Sequence, residues 1–207
     1  MKKLIIAIVL LVLAGFVVFK FFFSKNDKRP GEPKQQALSI SKNSPAFNES
    51  FEKILNAYFA LKAAITDYDT AKANAASKEL AVFADSLKTA EIKGDSTGDI
   101  QKLADNFSGT ISGSAKGLAG ETDFIKKKRE FQMISDALYN LTRTVKYDRQ
   151  KLYHQHCPMA FNDEEEAWWI SNDHKIENPY LGRKHPKYKG TMIECGDITD
   201  SLDFSKK

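Results

Sequence analysis

The chain has 207 residues, of which 42% are hydrophobic and 28% are charged. This length and composition fit one domain with a packed core plus extra segments, and they exclude wholesale disorder. The first 30 residues hold six Lys/Arg against one Asp, so a local charge of +5 hides a charge of −1 on the rest of the chain. Duplex-binding surfaces need concentrated Lys and Arg, so we expect no nucleic-acid partner. Two cysteines are too few for a disulfide-dense scaffold.

The N-terminus combines a basic start with a long apolar run. Two lysines precede the apolar residues 4–19, and three phenylalanines continue the run beyond Lys20. About twenty such residues can span a bilayer if the lysine side chain snorkels to the interface. The same order of features is typical of a secretory signal. We predict an uncleaved signal anchor over residues 1–23, with a cleaved signal peptide as the alternative. Both interpretations predict that the body is exported, although the charges on the two sides of the apolar run do not settle its orientation.

Residues 24–45 predict a linker between this segment and the body. They are polar and contain Pro30, Pro33 and Pro45. No further proline follows until Pro158. So long a stretch without proline favours helices, because an interior proline costs a helix ~3 kcal/mol.

Residues 46–150 show the periodicity of amphipathic helices. Apolar residues recur at three- and four-residue steps in four segments. The first segment begins at Ser44 and Pro45, a pair that predicts an N-cap followed by a first-turn proline. The second begins near Asp69 and the fourth after Asp123. Four such helices with short connections predict an antiparallel four-helix bundle.

Two features of this helical region each have two interpretations. Gly109, Gly113 and Gly117 would share one face of a helix and permit a close crossing. Alternatively, the third helix ends early in a Gly/Ser loop, which we expect because each interior glycine costs ~1 kcal/mol. The basic run at residues 126–129 lies within the fourth helical pattern. We expect a solvated helix face there, with a lipid-headgroup patch as the alternative.

The composition of the chain changes after about residue 150. All four histidines, both cysteines and both tryptophans lie in the last 54 residues. Short extended patterns predict three strands, at residues 151–156, 167–171 and 191–195. We therefore predict a mainly α fold, in which a small β- and turn-rich element over residues 151–207 packs on the bundle as part of one domain.

Soft donor atoms are concentrated in two segments of this C-terminal region. Cys157 and Met159 flank a proline, which fixes the chain direction between them. Met192 lies three residues before Cys195, so a tight turn would bring both side chains to one ion. Thiolate and thioether donors select Cu(I) over hard cations. The predicted ligands are Cys157, Met159, Met192 and Cys195, with His156 as the best additional ligand.

The residues alone leave other interpretations of these positions open. Cys157 and Cys195 could form one structural disulfide, as exported cysteine pairs often do. The methionines could fill the core, and the histidines could lie at the surface. On an extended strand, His154 and His156 share a face and Cys157 lies on the other. A bend at Pro158 is therefore needed to bring imidazole and thiol together.

Sequence motifs of enzymes are missing. The chain contains no nucleophile elbow, P-loop, dinucleotide fingerprint or zincin helix. The two cysteines do not form a C-x-x-C pair, which argues against a zinc ribbon and against a thiol-redox enzyme. We therefore expect a protein that is not an enzyme.

The order of motifs in the last 54 residues resembles a family of uncharacterised bacterial envelope domains. The motifs are CPMA at residues 157–160, Trp169 with Ser171, Asn178-Pro179-Tyr180, Gly182, and Met192 with Cys195-Gly196. Related domains occur alone behind a signal segment, or fused to the periplasmic adaptor subunits of copper/silver efflux pumps of the CusB type. The resemblance covers the last 54 residues closely and the helical body loosely.

The resemblance implies an exported helical domain linked to heavy-metal handling, without naming a reaction. It points to Cu(I) as the bound metal, to a heavy-metal efflux adaptor as partner, and to contact with the membrane through the N-terminal helix. Combined with the soft donors, it predicts a membrane-anchored periplasmic copper-binding accessory protein. The alternative is a non-metal envelope interaction module held by a structural Cys157–Cys195 disulfide.

Overall fold

The computed structural model of the protein describes residue 41 and residues 43–205. The predicted signal anchor at residues 1–23 and most of the predicted linker lie outside the described residues. Within the described part of the chain, no helix has the length and apolar content needed to cross a membrane.

Four helices make up about half of the described residues, which confirms the four helical segments predicted from the periodicity. Ser44 is the N-cap of the first helix, because its Oγ accepts a hydrogen bond from the amide of Phe47 at 3.1 Å and Pro45 occupies the first turn. Asp69 and Asp123 cap the second and fourth helices in the same way. The helices are α1 (Pro45–Thr66), α2 (Thr70–Asp85), α3 (Asp99–Gly120) and α4 (Phe124–Val145), with a single 3-10 turn at Thr89–Glu91.

The third helix does not end early, so the predicted Gly/Ser loop is wrong. α3 continues through Gly109, Gly113 and Gly117 to Gly120. A methyl group at Gly109 or Gly113 would meet nothing within 4 Å, so neither glycine serves a close helix crossing. The amphipathic pattern of α3, with Ile111, Ala115 and Leu118 among its buried residues, outweighs the cost of the glycines.

The basic run in α4 is only partly a solvated face: Lys126 is exposed, but the prediction is wrong for Lys127 and Lys128. Lys127 and Lys128 are 0% and 4% exposed. The ammonium group of Lys127 donates to the carbonyl oxygen of Leu118 at 2.7 Å, near the end of α3. The guanidinium group of Arg129 lies 3.6 Å from the centre of the Phe161 ring. The long side chains of the run therefore cover the contacts of α4 with its neighbours.

A three-stranded antiparallel sheet follows the helices, which confirms the predicted small β element. Its strands are β1 (Leu152–Phe161), β2 (Glu165–Ser171) and β3 (Asp197–Leu202), in the order β2-β1-β3. The first two strands include the predicted segments. The predicted third strand at residues 191–195 is wrong. Those residues form turns, in which the amide of Cys195 donates to the carbonyl of Met192 at 3.1 Å.

Strand β1 continues through Pro158, although it is the central strand. The pairing of β1 with β3 ends at His156, and its register with β2 shifts between Cys157 and Phe161. Pro158 therefore lies where no ladder hydrogen bond needs its missing N–H. His156 and Cys157 precede this irregularity and lie on opposite faces of the strand, so Pro158 does not bring imidazole and thiol together as expected from the sequence.

The helices and the C-terminal segments share one hydrophobic core. Tyr58 of α1, Phe131 of α4, Trp169 of β2 and Tyr180 are all fully buried. The Phe131 ring lies 5.3 Å from the Tyr58 ring and 5.9 Å from the Tyr180 ring, centre to centre. The hydroxyl of Tyr58 also accepts a hydrogen bond from the amide of Ile170 at 3.0 Å. The sheet is thus held to the helices through α1 and α4.

Candidate metal centre

The thiols of Cys157 and Cys195 meet, although the residues lie 38 positions apart in the sequence. Cys157 is fully buried on the core side of β1, and Cys195 is half-buried in the turns that precede β3. Both are free thiols in the structure, and their side chains are in hydrogen-bond contact. The structure therefore brings together the two strongest of the predicted ligands.

Asn178 holds the segment that carries Cys195. Its side-chain amide donates to the carbonyl oxygen of Cys195 at 2.7 Å, and its backbone amide donates to the carbonyl of Ile193 at 2.8 Å. Its side-chain oxygen accepts from the amides of Tyr180 and Leu181, at 2.8 and 3.0 Å. Asn178 is fully buried, so its hydrogen bonds are protected from water. This residue positions Cys195 against β1.

Gly196 completes the approach of this segment to β1. Its backbone φ angle is 138°, a value that residues with a side chain rarely adopt. A Cβ atom there would also overlap the carbonyl oxygen of His156 and lie 3.2 Å from the Trp169 ring. Glycine at this position therefore lets the backbone next to Cys195 lie directly on β1.

Burial dominates the electrostatics of the thiol pair. It raises the pKa of Cys157 to about 11, and the hydrogen bond with Cys195 acts in the same direction. Hydrogen bonds from the amide of Met159 and from the Asn178 side chain oppose this increase. Lys128 lies close enough to Cys157 that a thiolate there would stabilise the positive charge of the lysine. Burial acts in the opposite direction and lowers the pKa of Lys128 to about 8. Cys157 is therefore protonated at neutral pH, and a thiolate formed there would have a cation nearby.

The two predicted methionine ligands lie beside the cysteines in the chain. Both Met159 and Met192 are partly buried and pack against the hydrophobic core. Met159 donates its amide to the sulfur of Cys157. Met192 shares a hydrogen-bonded turn with Cys195. These contacts place the backbone of each methionine next to a cysteine, and both side chains pack against the core.

His156 points away from this pair, on the other face of β1. Its side chain is 16% exposed and stacks on Trp168 with ring centres 4.8 Å apart. Its Nδ1 atom lies 3.0 Å from a carboxylate oxygen of Asp197, and its Nε2 atom lies 3.2 Å from one of Glu166. Both ring nitrogens are thus engaged outside the core. The structure does not bring His156 to the cysteines.

Sequence reasoning missed Asn178 and Lys128 as parts of this centre. The sequence analysis identifies Asn178 only as part of the Asn-Pro-Tyr motif, and Lys128 only as part of the basic run at residues 126–129. The signal available in the sequence was the Asn-Pro-Tyr motif, because an asparagine before proline often bonds nearby backbone groups. Among the described residues, no group of three or more His, Cys, Asp or Glu side chains could hold a metal ion. A metal site here would therefore use the two thiols with thioether sulfur or a ligand from outside the chain.

Residues 54–150 match a family described as a protein of unknown function (DUF3347). The match extends from within α1 to just beyond the end of α4 and covers slightly less than half of the chain. It ends before β1 and therefore does not include the cysteines. No curated protein and no solved structure matches the chain.

Proposed function

We propose that the protein binds Cu(I) through the thiolates of Cys157 and Cys195. The observation that supports this proposal is the contact between these two thiols, of which Cys157 is fully buried and Cys195 is half-buried. Soft sulfur donors favour Cu(I), and a site of low coordination can exchange a ligand without being rebuilt. Binding replaces the two thiol protons by one Cu(I) ion. The resulting centre carries one negative charge, which Lys128 would stabilise.

Met159 and Met192 are the proposed additional donors. Each lies next to a cysteine in the local backbone structure, and thioethers bind Cu(I) without releasing a proton. The biological role that fits such a centre is that of an accessory protein, anchored to the membrane by residues 1–23, which passes copper to a periplasmic efflux adaptor by ligand exchange. This role depends on the resemblance of the C-terminal motifs and is part of the proposal.

A competitive Cu(I) titration of the full chain, under reducing conditions, tests the proposal. We expect tight one-to-one binding that is lost in the Cys157→Ser/Cys195→Ser variant. The Met159→Leu/Met192→Leu variant should bind about tenfold or more weakly, because it keeps the thiolates and loses the thioethers. Met133→Leu is the matched control, since Met133 is 52% exposed on α4 and lies outside the centre. Unchanged affinity in the double serine variant would refute the proposal.

The same titration should depend strongly on pH. Cys157 is protonated in the free protein at all pH values well below about 11, and it must lose its proton to bind the metal. The Cu(I) affinity should therefore increase about tenfold or more for each unit of pH between pH 6 and 8. An affinity that stays constant over this range would show that the buried thiol is not a ligand.

A second function is supported by the same contact in an oxidised protein. Adjacent thiols could join as a disulfide that ties the turns before β3 to β1, and the helices would then bind another envelope protein. Such a bond would close a loop of 38 residues and stabilise the fold by about 3–4 kcal/mol. Alkylation followed by mass measurement on protein isolated without reductant distinguishes the two functions. Complete oxidation would favour the interaction module, and free thiols would favour the copper site.

A further inference from the structure

A cavity of about 560 Å³ lies beside the start of α4, away from the turn that carries Cys195. The loop after α1, the end of β1 and the segment at residues 181–187 form its other walls. Its lining is largely apolar or aromatic and includes Tyr68, Phe124, Ile125, Phe161, Leu181 and Pro186. Ligand-binding cavities for small molecules have this size and this largely apolar lining.

A buried cation also lines this cavity. Lys128 is 4% exposed, and its ammonium group donates to the hydroxyl of Tyr68 at 3.1 Å and to the carbonyl of Tyr180 at 3.0 Å. An ammonium group has three donors, so these contacts leave one donor for another partner. Among the described residues, no carboxylate forms an ion pair with Lys128. A buried charge without an opposite charge is costly, so an anion in the cavity would be strongly favoured.

The carboxylates that do line the cavity are already engaged. Asp163 forms an ion pair with Lys187 and accepts a hydrogen bond from Tyr188, so the charges of the lining pair cancel. Asp123 accepts hydrogen bonds from the amides of Ile125 and Lys126, at 2.7 and 3.1 Å, as the cap of α4. Lys128 is thus the lining cation that forms no ion pair with a carboxylate among the described residues.

Flat apolar surfaces surround this charge. The rings of Tyr68 and Phe124 stack with centres 4.3 Å apart, and the His185 ring meets Tyr68 edge-on at 5.7 Å. The ammonium group of Lys128 lies 5.9 Å from the centre of the Phe161 ring. A ligand that reaches Lys128 therefore contacts aromatic walls on its way.

We propose that this cavity binds a small organic carboxylate with an aromatic or similarly flat apolar body. The carboxylate would pair with Lys128, and the apolar body would lie against Tyr68, Phe124 and Phe161. This cavity shares Lys128 with the surroundings of the thiol pair, but binding of a carboxylate in the metal-free protein does not depend on the proposed copper function.

The test uses 2-naphthoate and its uncharged analogue 2-naphthamide as probes. Each probe is titrated into the isotope-labelled full chain at pH 6.5, and binding is followed by NMR. We expect 2-naphthoate to shift the amide signals of residues around the cavity, such as Phe124 and Leu181, in a saturable manner. The neutral amide should bind at least tenfold more weakly. Lys128→Met should reduce the 2-naphthoate affinity at least tenfold and leave that of the amide unchanged.

Lys126→Met is the matched control, because Lys126 is exposed on the same turn of α4 and does not line the cavity. It should bind both probes as the unmodified protein does. Absence of saturable shifts at millimolar 2-naphthoate, or equal affinities for acid and amide, would overturn the proposal. The comparison of the two probes in the unmodified chain remains decisive if Lys128→Met does not fold.

Discussion

Gly182 shows how closely the C-terminal segment is fitted to the helices. A Cβ atom at this position would overlap the carbonyl oxygen of Thr66, at the end of α1. The next residue, Arg183, donates its amide to that same oxygen at 2.9 Å and its guanidinium group to Asp67 at 2.7 Å. Gly182 is part of the C-terminal motif, and its role in the structure is to permit this contact.

We expect Gly182→Ala to destabilise the protein by about 3 kcal/mol, because the overlap is with backbone that cannot rotate away. Chemical denaturation, followed by circular dichroism, measures the free energy of unfolding. Gly120→Ala is the matched control, since a methyl group there meets nothing within 4 Å. Equal stability of the two variants would contradict the close approach of Gly182 to α1.

At the candidate centre, the sequence predicted the types of residue in the site more accurately than their positions in the fold. Two soft thiols in separate segments could be recognised from composition alone, and the structure brings them together. The sequence predicted that a bend at Pro158 brings His156 to the thiols, but the irregularity at that proline follows Cys157 and leaves His156 on the opposite face of β1. The strand alternation itself, which separates His156 from Cys157, was visible in the sequence. Contacts between residues far apart in the chain, such as that of Asn178 with Cys195, leave no pattern in the neighbouring sequence from which they could be predicted.

Among the elements, α3 carries glycines for which the structure shows no packing role. Gly109 and Gly113 lie in the interior of the helix, and a methyl group at either position would meet no other atom within 4 Å. At Gly117, a methyl group would lie 3.2 Å from the side chain of Glu130 on α4. The three positions, spaced four residues apart on one helix face, therefore differ in their surroundings.

Gly109→Ala and Gly113→Ala should each stabilise the protein by about 0.5–1 kcal/mol, because alanine loses less backbone entropy in a helix. Thermal unfolding of the single and double variants measures the gain, which should be additive if the sites are independent. Gly117→Ala should gain less, since the Glu130 side chain must move. Destabilisation by the first two substitutions would mean that these glycines have a contact partner outside the described residues.

Helices and strands differed in how well the sequence predicted them. The starts of α1 and α4 followed from Ser44 and Asp123, because an N-cap is a local hydrogen bond between neighbouring residues. β3 was missed because most of its residues are exposed and polar, so its strand state depends on pairing with β1. The apolar alternation at residues 191–195 indicated a strand, but hydrogen-bonded turns form there instead.

In the molecule as a whole, the helices and the C-terminal segments cannot be separated into two cores. Lys62 of α1 is 8% exposed and donates to the Ser171 hydroxyl of β2 at 3.1 Å. The Tyr180 hydroxyl donates to the carbonyl of Trp168 at 2.7 Å and its ring packs on Phe131. The family match at residues 54–150 therefore ends inside a continuous core.

A chain that ends at residue 150 should consequently fail to form a rigid core. It would keep helical circular dichroism but expose the faces of Tyr58 and Phe131 that β2 and Tyr180 cover. We expect loss of near-ultraviolet circular dichroism, together with binding of a hydrophobic dye that the full chain does not bind. Cooperative unfolding of the shortened chain, with well-dispersed NMR signals, would show that the helices form an independent domain.

The contacts of α1 also have a consequence for the order of folding. This first described helix bonds to residues more than 100 positions later, through Tyr58 to Ile170 and through Lys62 to Ser171. Contacts of such long sequence separation slow folding, because the intervening chain must be ordered first. During synthesis from the N-terminus, α1 is made early and acquires its neighbours in β2 only when the last quarter of the chain has been made. Until then the part of its surface that β2 covers is open to other proteins, and a folding helper that recognises this surface would meet it in every newly made chain.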